Sequence, residues 1–540
     1  MRVVWLFLAV LLAVAPGAWA QDEMHHHHGM GEDEVGTVHF ETSCDKRVEA
    51  AFNHAVALLH SFQYEDSRQA FAAVAAQDPT CAMAEWGVAM THYHGLWGNG
   101  ELAAGKVAWT KAAELASSNA KTTSRERAYI IAIGEVYQDD GKGRDAHAQA
   151  FTQKLAELHA SYPNDVEAAI FYALALDITA PKTDKTYANQ KKCGEILEPI
   201  FQKEPRHPGV AHYLIHCYDN PVLAEAGLPA ARAYAKIAPA SAHANHMPSH
   251  IFTRVGAWDE SINSNKESAE LAAQAEATSK DGESRDQRLH AMDYLEYAYL
   301  QTGQVSKAKS VLDEMNQLPP VPGLALAGNY ATAAIPARFY VELSKWQEAS
   351  MLHPPKGGAP WEQAITWQAI GEGGARADHL QRAAMAEREL ASLRDQSAKQ
   401  GDSYWANQVE VQRKEVEAWI ALASGSIGDA LQAMRAAADL EDSMDKHPVT
   451  PGAVIPAREM LAEMLLQQNH PKESLGEYAA VLKVSPGRFN ALYGAASAAE
   501  AAGDTKAAAT YYRQLLDNAE ANERPEVAAA RKKTAMTAQK

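Results

Sequence analysis

Residues 207–219 of this chain read HPGVAHYLIHCYD, and residues 243–258 read HANHMPSHIFTRVGAW. Each segment holds a His-x-x-x-His pair, and the second pair follows the first after 34 residues. The four residues concerned are His212, His216, His246 and His250. A self-similar period of about 34 residues is typical of repeated helix–turn–helix units. The sequence therefore places these histidines at equivalent positions of two consecutive units.

The same pattern of paired helices recurs along the chain. Residues 48–79 show two apolar-periodic segments separated by a turn, and residues 471–516 show three such segments. Alanine is abundant and aromatic residues make up only 8%, which suits closely packed helices better than sheets. A chain of 540 residues is too long for one globular core. These features predict an all-α solenoid of helical hairpins.

The period and its Gly, Ala and Pro landmarks resemble the tetratricopeptide-repeat superfamily over nearly all of the chain after its first 44 residues. The resemblance implies a right-handed helical-hairpin solenoid with a concave groove. The strings HPGVAHYLIHCYDNP and HANHMPSHIF are similar to those of exported bacterial repeat proteins. The resemblance implies the fold and leaves the activity open.

The chain divides into four predicted segments. Residues 1–20 combine Arg2, an apolar run and a small-residue cleavage site, which predicts a secretory signal peptide and a periplasmic or secreted protein. Residues 21–43 are acidic, Gly-rich and His-rich and are expected to be disordered. We expect an N-terminal repeat arc with a His-rich groove over 44–352. A C-terminal arc with a capping helix follows over 353–540, beginning at the break HPPKGGAP.

Charge and hydropathy exclude two classes of partner. The formal net charge is −18 and no basic stripe is present, so we expect no nucleic-acid binding. After the predicted signal peptide, no stretch approaches the roughly 20 apolar residues of a membrane span. The tract MHHHHGM at residues 24–30 is either a metal-loading segment or a solvated tail.

Four cysteines in an exported chain suggest disulfides, and four allow three pairings. Cys193 and Cys217 lie symmetrically about the turn at residues 205–208, so antiparallel helices joined there would bring them level. Cys44 and Cys81 precede successive first helices. We therefore favour the pairs Cys193–Cys217 and Cys44–Cys81 over burial as small apolar residues.

The histidines are candidate metal ligands. In tetratricopeptide proteins, positions 2, 5 and 9 of the first helix face the groove, and residues three and four apart share one helix face. The predicted ligands are His212, His216, His246, His250 and Asp293. Further groove residues or outer partners are His243, His290, Tyr297 and Tyr213. Imidazole donors favour zinc or copper over magnesium or calcium.

Two other interpretations of this face remain open. It could be a polar groove for an anionic or peptide ligand, or the histidines could serve packing alone. Pro248 lies inside the second helix and predicts a kink that could separate His246 from His250. A smaller candidate pocket at MTHYHGLWGNG would be lined by Trp86, His92 and His94, although aromatic residues at helical spacing are more often core.

Two functions are compatible with these patterns. The first is an exported repeat protein with a zinc or copper site in its groove, which could act as a metal-dependent enzyme. The second is a non-catalytic scaffold of the cell envelope that binds a peptide or protein in the concave surface. The sequence has no phosphate-binding loop, H-E-x-x-H or G-x-S-x-G motif, so any catalysis would depend on the metal.

Overall fold

The structure, a computed structural model, describes residues 32–97, 100–279 and 282–538. The predicted signal peptide, residues 21–31 of the predicted tail and the tract at 24–30 lie outside these residues. The helices of the first third are α1 (Glu32–Val35), α2 (Glu49–His60), α3 (Tyr64–Gln77), α4 (Ala82–Thr91), α5 (Leu102–Ser118), α6 (Ser124–Gly134), α7 (Arg144–Ser161), α8 (Val166–Ile178) and α9 (Ala188–Lys203).

The middle of the chain carries the two His-x-x-x-His segments and their neighbours. Its helices are α10 (Pro208–Tyr218), α11 (Ala224–Ile237), α12 (Ala242–His246), α13 (Pro248–Val255), α14 (Trp258–Ser279), α15 (Gly282–Gln301), α16 (Val305–Gln317), α17 (Leu326–Glu342), α18 (Trp346–Ser350) and α19 (Pro360–Arg376).

The last third continues in the same way. Its helices are α20 (Leu380–Lys399), α21 (Ser403–Ala423), α22 (Ile427–Asp442), α23 (Ala457–Gln467), α24 (Pro471–Val484), α25 (Phe489–Ala501), α26 (Thr505–Asn518) and α27 (Pro525–Ala538). No strand occurs in the described residues. Consecutive helices pack against each other along the chain, and most first helices also pack against the first helix of the next pair. The predicted all-α solenoid of helical hairpins is confirmed.

Both predicted disulfides are present. Cys44 pairs with Cys81, and Cys193 pairs with Cys217, which ties α9 to α10. Disulfides are typical of proteins that fold in an oxidising compartment. No helix of the described part of the chain combines the length and apolar character needed to cross a membrane.

Residues 35–40 belong to the packed structure rather than to a disordered tail. Val35 and Val38 are buried, and the ring of Phe40 packs against Phe52 and Trp86. The backbone N–H of Thr37 also donates to the carbonyl of Arg206. The expected disorder of residues 21–43 therefore does not hold for this part, because its apolar side chains fill the first hairpins.

The hydrophobic core also continues across the predicted arc boundary at residue 353. One cluster includes Tyr330 and Val341 before the boundary and Trp361 and Ile365 after it. Apolar surface is thus buried between α17 and α19 as it is within the other repeats. The HPPKGGAP segment is a connection over this core.

The C-terminal repeats fold back onto the repeats that carry the histidines. The side-chain oxygen of Gln301 accepts from the backbone N–H of Phe489 at 2.9 Å. Gly256 has a left-handed backbone (φ +74°) and an added Cβ would lie 2.7 Å from the carbonyl oxygen of Pro486. Residues 443–456 also cross the groove, where the N–H of Asp445 donates to the carbonyl of Lys182. The concave face is therefore partly covered.

Two glycines of adjacent C-terminal helices provide a matched test of this packing. A Cβ at Gly494 would collide with the ring of Tyr478, whereas a Cβ at Gly476 would meet nothing within 4 Å. We expect Gly494→Ala to lower the free energy of unfolding by about 1–3 kcal/mol through overpacking. Gly476→Ala should raise it by about 0.5–1 kcal/mol, because alanine loses less backbone entropy in a helix. Urea unfolding followed by circular dichroism measures both, and equal shifts would contradict the packing of α25 on α24.

Candidate metal centre

Six histidines from three successive first helices meet in the interior. His212 and His216 lie on α10, His243 and His246 on α12, His250 on α13 and His290 on α15. All six are at most 6% exposed. The groove face that the sequence predicted is thus a buried surface at this point, because other repeats pack over it.

The first cluster contains His212, His216 and His243. The Nε2 atom of His212 lies 3.1 Å from Nε2 of His216 and 3.1 Å from Nε2 of His243. The three ligand atoms all lie within 4.8 Å of one another. We call this cluster triad A. It joins one His-x-x-x-His pair to a histidine from the next repeat.

The second cluster contains His246, His250 and His290, and we call it triad B. The Nε2 atoms of His246 and His250 are 3.0 Å apart, and a ring nitrogen of His290 completes the group within 4.8 Å. Pro248 starts a new helix, yet Met247 keeps helical backbone angles (φ −53°, ψ −37°). The i, i+4 relation of the pair therefore survives the break, and the kink does not separate the two imidazoles.

Protons cannot account for the close contact in triad B. The Nδ1 atom of His246 lies 2.7 Å from Oδ1 of Asn265, whose own amide nitrogen donates to the Ser261 carbonyl. The Nδ1 atom of His250 lies 3.0 Å from Oδ2 of Asp219. Both Nδ1 atoms therefore carry the proton of the neutral ring. The two Nε2 atoms then face each other with lone pairs only, at 3.0 Å.

Triad A has a similar shortage of protons. Nδ1 of His212 lies 2.6 Å from the carbonyl oxygen of His60, so it donates there and Nε2 of His212 has only a lone pair. That lone pair faces both His216 and His243 and can accept from one of them. One of the two 3.1 Å contacts is left without a hydrogen bond.

Burial makes a protonated imidazole unfavourable in both triads. It lowers the pKa of His246 well below the ordinary value, and the neighbouring His290 and His250 lower it further. Burial likewise lowers the pKa of His212 well below its ordinary value, with His216 and His243 adding to the shift. An imidazolium is thus a poor source of the positive charge that would relieve these contacts.

In a third buried cluster, by contrast, the close polar contacts are all ordinary hydrogen bonds. Glu167 accepts from Nε2 of His60 and from Nε2 of His207, each at 2.9 Å. The hydroxyl of Tyr213 lies 2.9 Å from Nδ1 of His60, where it can donate. Each of these contacts pairs a donor with an acceptor. The two triads lack that match.

The triads are neighbours in space. The ring centroids of His216 and His250 are 6.1 Å apart, and those of His243 and His246 are 6.4 Å apart. Tyr294 stacks on His250 with its ring centroid at 4.9 Å, and its hydroxyl donates to the Thr450 carbonyl. Two three-histidine sites therefore lie side by side beneath residues 443–456.

A cavity of about 190 Å³ reaches the triads from one side. His243 lines it from triad A and His290 from triad B. Nδ1 of His243 and both ring nitrogens of His290 have no hydrogen-bond partner among the described residues. Tyr64 and Trp97 form an aromatic part of the wall. A small molecule in this cavity would lie next to both triads.

The structure places Asp293 and Tyr297 elsewhere. Asp293 is not part of either triad, and its Oδ1 forms a 2.5 Å ion pair with the buried Arg338. The hydroxyl of Tyr297 lies 3.4 Å from Nη1 of Arg488. On α15 the residues that face the imidazoles are His290 and Tyr294, which lie on either side of Asp293 around the helix. Asp293 is therefore a counter-ion rather than a ligand in this geometry.

The other sequence-predicted residues are divided between core and cavity. The hydroxyl of Tyr213 contacts His60, whose backbone carbonyl in turn accepts from His212 of triad A. Trp86 is a core side chain that packs on Phe40 and Tyr129. His92 pairs with Glu101, and His94 stacks on Tyr64 at the cavity wall. The predicted pocket of Trp86, His92 and His94 therefore does not form as one site, because Trp86 points into the core.

Sequence reasoning missed the groups that orient the imidazoles. These are the backbone carbonyl of His60 and the side chains of Asp219, Asn265 and Tyr294. The sequence alone could have pointed to Asp219, because it follows His216 by three residues. Arg254 and Lys446 each lie 2.8 Å from Asp219 and hold its pKa well below the ordinary value against the effect of burial.

The chain matches no protein-family model and no curated protein sequence. Among solved structures, it is similar to yeast Tom70 at 11% identity and a TM-score of 0.29, covering 92% of this chain and 97% of that one. It is also similar to the human IFIT1 dimer with m7Gppp-AAAA at 13% identity and a TM-score of 0.33, covering 81% and 90%. Identities and TM-scores this low say nothing about what this chain binds.

Replacing Asp293 separates its two possible roles. We expect Asp293→Asn to lower the free energy of unfolding by about 3 kcal/mol, because buried Arg338 loses a charged partner and keeps only Glu296. Bound metal per chain should not change. The control Asp313→Asn alters an exposed carboxylate on α16 and should leave both quantities unchanged. Loss of metal with unaltered stability would show that Asp293 is a ligand after all.

Proposed function

We propose that this protein binds two copper ions, one in triad A and one in triad B. The observation that carries the proposal is the 3.0 Å contact between Nε2 of His246 and Nε2 of His250. Both rings donate their Nδ1 protons, one to Asn265 and the other to Asp219, so the two Nε2 lone pairs converge in a buried site. A shared cation turns this repulsive contact into two bonds.

The distances within the triads suit a metal bound by imidazole. A metal–nitrogen bond of about 2.0–2.1 Å places two ligands of one ion about 2.9–3.4 Å apart, for angles between 90° and tetrahedral. The three close contacts are 3.0, 3.1 and 3.1 Å. Each ring also donates or is free to donate through Nδ1, which is the usual outer arrangement of histidine ligands.

Copper suits the donor set better than zinc. Imidazole binds both metals, and affinities of nitrogen sites for divalent ions are highest for copper. Neither triad contains a carboxylate or thiolate, so a divalent ion would bring an uncompensated double charge into the interior. Copper can enter as a monovalent ion and halve that cost. For both reasons we propose copper, which is one of the two metals that the sequence predicts.

The cavity beside His243 and His290 favours catalysis over simple metal storage. Copper held by imidazole supplies one-electron redox chemistry when bound. Around it, this chain would orient six imidazoles, exclude bulk water by burial and leave one side open to a small molecule. A metal-dependent redox enzyme is therefore our second, more specific candidate for the same site.

The alternative of a peptide-binding scaffold is less well supported at this place. A peptide in the concave surface would need exposed side chains, and the six histidines are at most 6% exposed. We also propose that the protein works outside the cytoplasm. The predicted signal peptide and two disulfides point to an oxidising compartment, where copper would be acquired after folding.

The stoichiometry of bound copper tests the proposal. In a background with residues 25–28 changed to serine, we expect two copper ions per chain by mass spectrometry. His212→Ala with His216→Ala should retain one ion, and His246→Ala with His250→Ala should also retain one. Each double variant removes two ligands from one triad and leaves the other triad complete.

The matched control is His353→Ala with His470→Ala, since both of these histidines are exposed. It should retain two ions, and circular dichroism should show that every variant is folded. Less than about 0.3 copper per chain after loading, or two ions in both triad variants, would rule out the paired centre. Displacement of copper by equimolar zinc would overturn the choice of metal.

A further inference from the structure

A second cavity lies further along the concave face, away from the six histidines. It measures about 730 Å³ and is open on one side. Helices α17, α19 and α21 form its floor, and residues 443–456 form one wall. A volume of this size is typical of small-molecule sites. None of the residues predicted from the sequence as site residues faces it except Tyr297.

Glu415 is the unusual side chain of this cavity. It lines the wall and is 1% exposed. Its Oε2 accepts from the amide of Gln368 at 2.7 Å, and the same amide donates to Glu372 at 3.0 Å. No lysine or arginine of the described residues forms an ion pair with Glu415. A buried carboxyl without a counter-ion is costly and is a frequent mark of a functional site.

A second carboxyl belongs to the same wall, and both carboxyls are more readily protonated than an exposed glutamate. Glu441 also lines the cavity, and it accepts the backbone N–H of Ala457 at 2.9 Å. Burial raises the pKa of Glu441 to about 7, and burial together with Glu372 and Glu441 raises the pKa of Glu415 well above its ordinary value. Oε1 of Gln412 is buried in the same wall and has no hydrogen-bond partner in the part of the chain described here.

Five basic residues line this cavity, and none of them forms an ion pair with Glu415; exposed Lys483 has no carboxylate partner among the described residues. Arg254 and Lys446 both pair with Asp219, at 2.8 Å each. Arg458 pairs with Asp442 at 2.6 Å and with Glu477 at 2.5 Å. Because none of these cations pairs with Glu415, a bound ligand can supply its positive partner.

Aromatic side chains also line the cavity. Tyr330, Tyr404 and Trp405 line it. Trp405 stacks on Trp361 at 4.8 Å between ring centroids and on His447 at 5.5 Å, so its position is fixed on both sides. A ligand in the cavity would therefore meet the edge of Trp405 together with the rings of Tyr330 and Tyr404, which form an apolar surface.

A metal ion does not fit this arrangement. The carboxyl oxygens of Glu372, Glu415 and Glu441 are not among the groups whose ligand atoms come within 4.8 Å of one another. An anion at this end of the cavity would meet the carboxyl groups of Glu415 and Glu441, which both line it. An organic cation satisfies both halves of the cavity, with its charge at the carboxyls and its body against the rings.

We propose that this cavity binds a small organic cation, with a primary ammonium or guanidinium group at Glu415 and an apolar or aromatic body against Trp405, Tyr330 and Tyr404. The buried Oε1 of Gln412 would accept a further N–H of the ligand. This site is independent of the copper proposal, because none of its residues belongs to either triad.

Calorimetric titration of the full-length protein tests the proposal with phenethylamine as the probe and phenethyl alcohol as its neutral counterpart. We expect phenethylamine to bind and Glu415→Gln to weaken its binding at least tenfold. The alcohol should bind weakly and equally to both proteins. The control Glu389→Gln removes an exposed carboxylate on α20 and should leave phenethylamine binding unchanged.

A second variant guards against a folding defect in the first. Trp405→Leu removes the aromatic wall and should also weaken phenethylamine at least tenfold, whereas it leaves every carboxyl in place. A trilysine peptide, compared with phenethylamine, distinguishes a lysine side chain of a protein from a free amine as the source of the cation. Equal affinity of the original protein and folded Glu415→Gln for phenethylamine, or no binding of either amine at millimolar concentration, would overturn the proposal.

Discussion

The arrangement of the interior depends on where two imidazole protons are held. Asn265 accepts the Nδ1 proton of His246, and Asp219 accepts that of His250. Because these acceptors fix the tautomers, the two Nε2 lone pairs must point at each other across 3.0 Å. Asp219 can do this while buried only because Arg254 and Lys446 stabilise its charge. A cation between the rings is the simplest way to make such a contact favourable, and the neighbouring triad repeats the pattern.

The repeat architecture supplies this geometry and then encloses it. Successive first helices lie side by side, and each His-x-x-x-His pair meets a histidine at a different position of the next repeat, His243 or His290. The folding back of the C-terminal repeats, through contacts such as Gln301 with Phe489, brings residues 443–456 over the same face. An open solenoid groove is thereby converted into a buried centre and a separate cavity lined by Glu415 and Trp405. By excluding water, burial would strengthen bonds to the proposed metal ions and an ion pair between Glu415 and the proposed ligand.

The period of 34 residues was enough to predict the fold and to place all six clustered histidines on one face, four as ligands and two, His243 and His290, as further groove residues. The positions of the cysteines predicted both disulfides. The period was not enough to assign the third helix correctly. Asp293 shares the repeat position of His212, but α15 turns His290 and Tyr294 toward the imidazoles and Asp293 toward Arg338. No short sequence motif indicated the cavity around Glu415. Its lining comes from segments spread between Lys185 and Ser485, and such long-range packing is not encoded in any short motif.

The most direct test is X-ray diffraction from crystals of the copper-loaded protein, with data collected at the copper absorption edge. The account predicts two anomalous peaks inside the fold, one about 2 Å from the Nε2 atoms of His246 and His250 and one at the same distance from Nε2 of His212. Anomalous density confined to the histidine tract at residues 25–28, with Nε2 of His246 and His250 in contact and no metal between them, would contradict it.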